Sequence, residues 1–331
     1  MRMRSVCWLA ASILPLQPTA ARELAVVNQP ERTLQLVDGE RGAVLLTVAL
    51  GERPHEVEVS PDGRFAYAPI YGNGAVGRPG TDGDTVEVVG LASGRVNRIA
   101  LGAPVRPHDA KFGPDGLLYV TAETAQAVLV VDVATGRVVG RVPTGRPESH
   151  SLAISPDGRR AYTANVGSGS VSVLDLIRRR LIGVVPVASM VQRVTVSADG
   201  RRLFTHDQRA PRVVEIDAGR MKVVASHTLP GLPYASAISP DGRTLIVAGR
   251  PELPGQQRAS PSLYLLDLRS SSVETIRTPG WPRVVAVDGA TGLAWLNFGS
   301  GEIASLDLRT KELLVTARLG PGLDGMSLLP R

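Results

Sequence analysis

Short apolar runs separated by turn residues recur along nearly the whole chain. In the segment 150–190 these runs span residues 151–155, 160–164, 170–175 and 181–186. Each run is rich in Val, Ile, Leu or Tyr and is bounded by turn residues, which is the pattern of short β-strands. No interval between the runs has helical periodicity of useful length. The pattern therefore predicts four antiparallel strands in this segment.

The turn between the first two runs returns about every 42 residues. Most copies read Ser-Pro-Asp-Gly or a close variant, and they lie at 60–63, 113–116, 155–158, 197–200, 239–242 and, in a degenerate form, 288–292. A fixed period of this length indicates a repeat architecture. Four antiparallel strands per repeat are typical of a β-propeller blade.

Six complete blades can be counted, and the chain ends supply a seventh. The six span 54–104, 105–147, 148–190, 191–232, 233–281 and 282–323. The remaining predicted strands lie at 24–27, 33–37, 43–47 and 325–329. We therefore predict an all-β fold: a seven-bladed β-propeller with four antiparallel strands per blade, closed by pairing of the N- and C-terminal strands. It would form a single domain over residues 22–331.

Residues 1–21 do not share the repeat. Arg2 and Arg4 precede a short apolar run at 6–16, and small residues at 19–21 offer a cleavage site. This arrangement is typical of a cleavable secretory signal peptide, which predicts a periplasmic or secreted protein. No later stretch is long and apolar enough to predict a membrane span.

The charge of the chain is modest and well mixed. It carries 37 Lys and Arg against 31 Asp and Glu, a formal net charge of +6 that falls to +4 without the two leader arginines. We interpret the basic run Arg178–Arg180 as a solvated turn. This charge and an aromatic content of 4% argue against a nucleic-acid partner, and we expect a monomer. The only cysteine, Cys7, lies in the leader, so no disulfide is expected.

One aspartate ends the predicted third strand of most blades. These residues are Asp38, Asp132, Asp175, Asp217, Asp267 and Asp307. A carboxylate at this position can accept backbone N–H bonds from the following turn. We therefore predict structural caps here rather than a catalytic series.

The third blade carries a recognisable motif. Residues 162–165 read Tyr-Thr-Ala-Asn, and 167–175 read Gly-Ser-Gly-Ser-Val-Ser-Val-Leu-Asp. This motif resembles the YVTN-type repeat of bacterial secreted seven-bladed propellers, the YncE-like family. The resemblance covers residues 23–331 and implies the same fold. It implies little about activity, because propellers support many unrelated functions.

Two loops of the predicted propeller are expanded, at 71–84 and 250–262. Both join the second and third strands of a blade, and such loops lie on the same face as the loops that lead into the innermost strands. The turns on the opposite face stay short. Because binding residues concentrate on loops held by a rigid frame, we expect this face to be the working surface.

The same face carries one position that recurs in register in every blade. Eight residues before each turn glycine, and at the equivalent places in the two irregular blades, the residues are His55, His108, His150, Gln192, Tyr234, Arg283 and about Asp324. This position should open the innermost strand at the mouth of the central channel, which would bring three histidines from successive blades together. Tyr71, Asp207 and Trp281 are expected to face the same mouth.

Clustered histidines permit several kinds of chemistry. His55, His108 and His150 could bind zinc, copper or iron, so a divalent transition metal is a possible cofactor although none is certain. One of them could act as a general base. They could instead bind a polar or anionic ligand, or they could be a remnant of blade duplication without a role.

Two classes of function follow. The first is a binding or scaffold protein with a small molecule or a protein at a channel mouth lined by His55, His108 and His150. The alternative is an enzyme that uses the same histidines. Pro-His followed by a strand and a Pro-Asp-Gly turn also resembles the lactonase-type propellers, so a lactonase-like hydrolase or a metal-dependent oxidoreductase is conceivable. Substrate, partner and reaction stay open.

Overall fold

The computed structural model describes residues 22–250 and 260–331, and within them the chain forms seven four-stranded antiparallel sheets. In chain order the strands are β1 Glu23–Asn28, β2 Thr33–Asp38, β3 Val44–Ala49, β4 Glu58–Val59, β5 Phe65–Gly72, β6 Asp82–Gly90, β7 Val96–Ala100, β8 Pro107–Phe112, β9 Leu118–Ala122, β10 Ala127–Asp132, β11 Arg137–Pro143, β12 Ser149–Ile154, β13 Arg160–Asn165, β14 Ser170–Asp175, β15 Arg180–Pro186, β16 Val194–Val196, β17 Arg202–Asp207, β18 Arg212–Asp217, β19 Lys222–Thr228, β20 Pro233–Ile238, β21 Thr244–Gly249, β22 Ser262–Asp267, β23 Val273–Arg277, β24 Pro282–Asp288, β25 Leu293–Phe298, β26 Glu302–Asp307, β27 Leu313–Arg318 and β28 Leu323–Leu328.

Six sheets consist of four consecutive strands, and the seventh joins the two ends of the chain in the order β28-β1-β2-β3. In that sheet Leu24 lies opposite Leu328 and Val26 opposite Met326. The prediction of a seven-bladed propeller closed by its terminal strands is therefore confirmed. We number the blades one to six from β4 to β27, and call the closing sheet blade seven.

The hydrophobic core is divided among the interfaces between neighbouring blades. Seven apolar clusters fill these interfaces, one between each adjacent pair. Successive strand residues point to opposite sides, so an apolar strand buries both faces when its sheet lies between two others. Trp295 and Phe204 are among the largest buried side chains. Each such side chain stabilises the ring by roughly 2–3 kcal/mol.

The strand-ending aspartates cap turns, as predicted. Asp175 accepts the backbone N–H of Arg178 at 2.8 Å, and Asp217 accepts that of Arg220 at 2.7 Å. Asp38, Asp132, Asp267 and Asp307 accept equivalent bonds. The Pro-Asp-Gly turns are also structural, because Asp62 accepts a hydrogen bond from the Ser60 hydroxyl that lowers the pKa of Asp62 to about 2.

One detail of the working face differs from the sequence predictions. Tyr71 is not a loop residue, because β5 continues to Gly72 and the first expanded loop spans only 73–81. Tyr234 lies near the start of β20, the innermost strand of blade five. In the second expanded loop, residues 251–259 lie outside the described residues, as does the predicted signal peptide at 1–21. No helix among the described residues has the length and hydrophobicity needed to cross a membrane.

Candidate functional site at the channel mouth

A cavity of about 260 Å³ occupies the central channel, and the innermost strands of all seven blades line it. In six blades the residue directly after the recurring position lines this cavity: Glu56, Asp109, Ser151, Arg193, Ala235 and Val284. The recurring position directly precedes these lining residues, and in blades two, three, five and six it lies in a β-bulge of the innermost strand. We call the seven recurring residues the mouth belt: His55, His108, His150, Gln192, Tyr234, Arg283 and Asp324.

The three histidines of the mouth belt are neighbours, stacked across the first three blades. The ring centroids of His108 and His150 are 3.4 Å apart with an interplanar angle of 30°, and those of His55 and His108 are 5.1 Å apart. His108 and His150 are buried, whereas 18% of the His55 side chain is exposed. Tyr71 is also buried. Its ring meets the His55 ring edge to face, with the two centroids 4.7 Å apart.

Hydrogen bonds hold the inner end of this stack. Nδ1 of His150 lies 2.5 Å from Oε1 of Glu123, and the Tyr71 hydroxyl donates to Oε2 of the same carboxylate at 2.8 Å. Since a carboxylate only accepts, Nδ1 of His150 carries the proton. Nδ1 of His108 is buried without a hydrogen-bond partner among the described residues. Burial, helped by its histidine neighbours, lowers the pKa of His108 well below its usual value.

The stacked arrangement does not fit the predicted metal site. The lone pairs of an imidazole lie in the plane of its ring, so the lone pairs of nearly parallel rings do not converge on one ion. Nε2 of His55 is also already within 2.8 Å of the Gln29 amide nitrogen, which donates to it. Across 22–250 and 260–331, no group of three or more His, Cys, Asp or Glu side chains is arranged to hold a metal ion.

The opposite half of the mouth belt, together with the neighbouring Trp281, is aromatic and cationic, and we call it the aromatic half. Tyr234 and Trp281 meet edge to face with centroids 5.1 Å apart. The guanidinium of Arg283 lies 4.4 Å above the Trp281 ring and 5.6 Å from that of Tyr234, in cation-π geometry. Both ring systems are half-buried, so this half is open to a ligand in a way that the histidine stack is not.

Asp324 joins the two halves of the mouth belt. Its carboxylate accepts from Nδ1 of His55 at 2.9 Å and lies 3.2 Å from Nη2 of Arg283. Burial alone would raise the pKa of Asp324, but the hydrogen bond from His55 and the charge of Arg283 outweigh it, and the pKa is lowered. The closing blade thus supplies the ionised group that orients His55.

A buried ion pair lies below the mouth belt. Glu56 of blade one and Arg193 of blade four approach to 2.6 Å, although their blades are not neighbours in the ring. Burial raises the pKa of Glu56 in spite of the arginine. The guanidinium of Arg193 lies 5.1 Å from the Tyr234 ring centroid, so the pair forms a polar floor beneath the aromatic half.

Two predicted residues stand apart from these contacts. Gln192 is half-buried in the mouth belt and makes no hydrogen bond or ion pair within the described parts of the chain. Asp207 is buried, and its carboxylate is held by Arg212 at 2.9 Å within its own blade. Asp207 therefore stabilises the hairpin of β17 and β18.

The predictions from sequence included neither Glu123 nor the pairing of Glu56 with Arg193. Glu56 and Arg193 could have been found by reading the position that directly follows each mouth-belt residue. Glu123 follows β9 at the start of a loop on the working face, and no repeat of its residue type in the other blades marks it.

Three of the residues with a left-handed backbone conformation on this face precede the clustered histidines. Arg53, Arg106 and Glu148 have φ of 54°, 52° and 57°, and each lies two residues before one of the clustered histidines. A non-glycine residue in this region costs on the order of 1 kcal/mol, so the surrounding contacts must compensate. Arg106 makes such contacts, because its Nε donates to Asp82 at 2.8 Å.

Comparisons with known proteins agree with the fold. No protein-family model matches the chain. The chain is 26% identical over 171 residues, 51% of its length, to the uncharacterized protein YwhL of Bacillus subtilis (strain 168). The match spans 34% of that relative, so the chain covers about a third of its length. Hydrazine synthase of Kuenenia stuttgartiensis is similar in structure, with a TM-score of 0.65 and 22% identity over 77% of this chain and 76% of that chain. At this identity the likeness concerns the fold alone.

Proposed function

We propose that this protein is a secreted or periplasmic binding propeller of the YncE-like kind, with a small-molecule site at the mouth of the central channel. In this proposal the aromatic half of the mouth belt contacts the ligand. His55 forms the edge of the site, while His108 and His150 support it from below. The burial of the latter two and the partial exposure of His55 support this division of roles.

One observation carries the proposal. Nε1 of Trp281 and Nε of Arg283 are both buried without a hydrogen-bond partner among the described residues, and the two side chains stack on each other. An unsatisfied buried donor costs about 1–3 kcal/mol. Both donors are covered in this conformation, so we propose that the side chains at the mouth move aside and that a carboxylate or another oxyanion then supplies acceptor oxygens to both.

The aromatic rings define the remainder of the ligand. Tyr234 and Trp281 offer partly exposed ring surface next to the two donors. Rings in this setting stack on planar or apolar groups. We therefore propose a small organic acid with a flat or apolar body as the ligand class.

Tryptophan fluorescence tests this proposal directly. The chain has three tryptophans, and Trp8 lies in the predicted leader, so Trp295→Phe leaves Trp281 as the sole tryptophan of the mature protein. Titration of this variant with a panel of aromatic and aliphatic carboxylates should give saturable quenching or a spectral shift for some of them. Amides of the same acids should bind at least about tenfold more weakly, because charge-assisted bonds are lost.

Matched variants separate the site from general packing effects. Trp281→Phe removes the indole N–H, and Arg283→Gln removes the charge; each should abolish a calorimetric signal for the best acid. Trp295 also has a buried Nε1 without a partner but lies in the core between blades six and seven, so Trp295→Phe should bind normally. Equal loss of binding in Trp295→Phe, or binding that survives both mouth variants, would contradict the proposal.

Secretion is part of the same proposal and has its own test. The full chain, expressed in a Gram-negative host, should be recovered from the periplasm with a mass that corresponds to cleavage near residue 21. Retention of the intact N-terminus in the cytoplasm would contradict this part and leave the mouth site unaffected.

A hydrolase is a second candidate, supported by the pairing of His55 with Asp324. A buried carboxylate that orients the Nδ1–H of a partly exposed histidine is the arrangement of a general base. Gln29 now donates to the Nε2 of His55, so an attacking water would have to displace it. Lactone hydrolysis that falls at least about a hundredfold in His55→Gln would favour this candidate; an unchanged background rate would exclude it.

A further inference from the structure

The net charge of this protein is concentrated in two neighbouring blades. Blades three and four, residues 148–232, contain 12 Lys and Arg and 7 Asp and Glu, which is +5 of the formal +6 of the chain. The remaining residues carry 25 basic and 24 acidic groups. Such local asymmetry indicates a surface that attracts anions.

Part of this charge lines a cleft on the face opposite the mouth belt. The cleft has a volume of about 300 Å³, and its lining includes Arg159, Arg160, Arg178, Arg180, Ile177 and Ile182. We call it the arginine cleft. These residues lie on or beside the turns that join first to second and third to fourth strands. In an antiparallel blade these turns lie at one end of the sheet. The innermost strand begins at the other end, where the mouth belt lies.

The arginine cleft has more cationic groups than its single lining acid can neutralise. Asp175 uses Oδ1 to accept the backbone N–H of Arg178, and its Oδ2 lies 3.2 Å from Nη1 of Arg178 and 3.9 Å from Nε of Arg180. Arg160 donates Nη1 to the backbone oxygen of Ala218. Within the described residues, the side chain of Arg159 has no hydrogen bond or ion pair.

Apolar side chains accompany these charges. Ile177 is 68% exposed, the highest value among the exposed large hydrophobic residues of the described chain, and it is adjacent in sequence to Arg178. Ile182 lines the cleft as a partly buried residue. A side chain as exposed as Ile177 loses unfavourable hydration when an apolar group covers it.

We propose that the arginine cleft binds an acidic peptide segment of a partner protein, with glutamate or aspartate side chains on the guanidinium groups and an apolar side chain on Ile177. Guanidinium forks match carboxylates in bidentate geometry, and the isoleucines give the segment an apolar anchor. Free phosphate would leave the isoleucines without a role. Single-stranded nucleic acid would need aromatic rings for base stacking, and the lining contains none.

The test uses a short fluorescein-labelled peptide of glutamates with two leucines, measured by fluorescence anisotropy against the mature chain at low ionic strength. We expect saturable binding that weakens as salt is added. A peptide with serine in place of both leucines, a single-stranded oligonucleotide of equal charge and inorganic phosphate are the comparison probes. Each should bind at least about tenfold more weakly than the glutamate–leucine peptide.

Variants assign the binding to the cleft. Arg159→Glu with Arg180→Glu should weaken the peptide at least about tenfold, because like charges then face each other. Arg64→Glu with Arg95→Glu is the matched control, since these arginines hold the same turn positions in blade one. It should change the affinity by less than about twofold, because only screened long-range charge interactions reach the cleft from there. Ile177→Ser should weaken the glutamate–leucine peptide but not the glutamate–serine peptide.

Several results would overturn this assignment. They are equal weakening by the two double variants, tighter binding of the oligonucleotide, and indifference to Ile177→Ser. The substituted side chains are exposed, so thermal unfolding should show that every variant folds. The mouth-site titrations should be unaffected by these variants, which keeps the two proposals separable.

Discussion

The carboxylate of Glu56 in blade one lies 2.6 Å from the guanidinium of Arg193 in blade four, and both side chains line the central channel. The two residues directly follow His55 and Gln192 of the mouth belt. The ion pair therefore links two non-adjacent blades and forms a floor between the mouth and the cavity below it. We expect a ligand at the mouth to contact this ion pair.

Removal of one partner from this pair should be costly. Arg193→Met leaves Glu56 buried near Asp109 and Asp324 with only the more weakly interacting Lys111 as a cation, and we expect a loss of about 3 kcal/mol in the free energy of unfolding. The double variant Glu56→Gln with Arg193→Met should recover much of the loss. Urea denaturation at neutral pH measures both, and a single variant as stable as wild type would contradict a tight pair.

The same variant has a predicted pH dependence. Burial raises the pKa of Glu56, so its folded form binds a proton more readily than the unfolded chain does. Protonation removes the unpaired charge, and the deficit of Arg193→Met relative to wild type should shrink as the pH falls from neutral towards 5. A deficit that is constant over this range would indicate that the charge of Glu56 is not its cause.

The Tyr71 hydroxyl should stabilise the histidine stack through Glu123. Tyr71→Phe leaves Oε2 of a buried carboxylate unpaired, and we expect a cost of about 2 kcal/mol. Tyr67→Phe is the matched control, because Tyr67 is equally a buried blade-one strand residue and its hydroxyl makes no described hydrogen bond. It should change the unfolding free energy by less than about 0.5 kcal/mol. Similar losses in both variants would count against a special role for the bond to Glu123.

Acid should destabilise the protein through its buried histidines. Burial lowers the pKa of His206 to about 3, below the value near 6.5 expected in the unfolded chain. Between these values only the unfolded state binds the proton, so the free energy of unfolding falls by up to about 1.4 kcal/mol per pH unit as the pH decreases. His206→Gln should flatten this slope, because glutamine does not titrate. A slope unchanged by His206→Gln would refute the assignment.

Divalent transition metals should not stabilise the folded protein. Because the His108 and His150 rings are stacked and Gln29 occupies Nε2 of His55, we expect zinc or copper to shift the melting temperature by less than about 1 °C. The purified protein could instead contain stoichiometric metal that is lost in each of the variants His55→Ala, His108→Ala and His150→Ala. That result would show that the rings rearrange to bind it.

Gly325 holds the closing blade against blade one. A Cβ at this position would lie 2.5 Å from the backbone oxygen of His55 and 2.6 Å from Cα of Glu56. Gly325→Ala should therefore shift the backbone beneath the mouth belt at a cost of about 2 kcal/mol. Gly289→Ala, where a Cβ would meet nothing within 4 Å, is the control and should be nearly neutral. Thermal unfolding compares the two, and equal melting temperatures would refute the close approach.

The amino-acid sequence alone was sufficient for the architecture and for the order of residues around the mouth. Strand alternation and tight turns are local, and their repetition at a fixed period reports seven similar sheets without knowledge of any long-range distance. The alignment of the repeats identified His55, His108 and His150 as neighbours. It also identified Tyr234 and Arg283 as the equivalent residues of later blades. It also assigned the strand-ending aspartates correctly to turns.

Only the tertiary structure decided which members of the mouth belt are buried and how they pair. Three contacts depend on how the blades are oriented relative to one another. They are the stacking of His108 on His150, the hydrogen bond from His150 to Glu123, and the ion pair of Glu56 with Arg193. Residues far apart in the sequence contribute to each of these contacts. Local propensity carries no information at that precision, because packing between whole blades sets those distances.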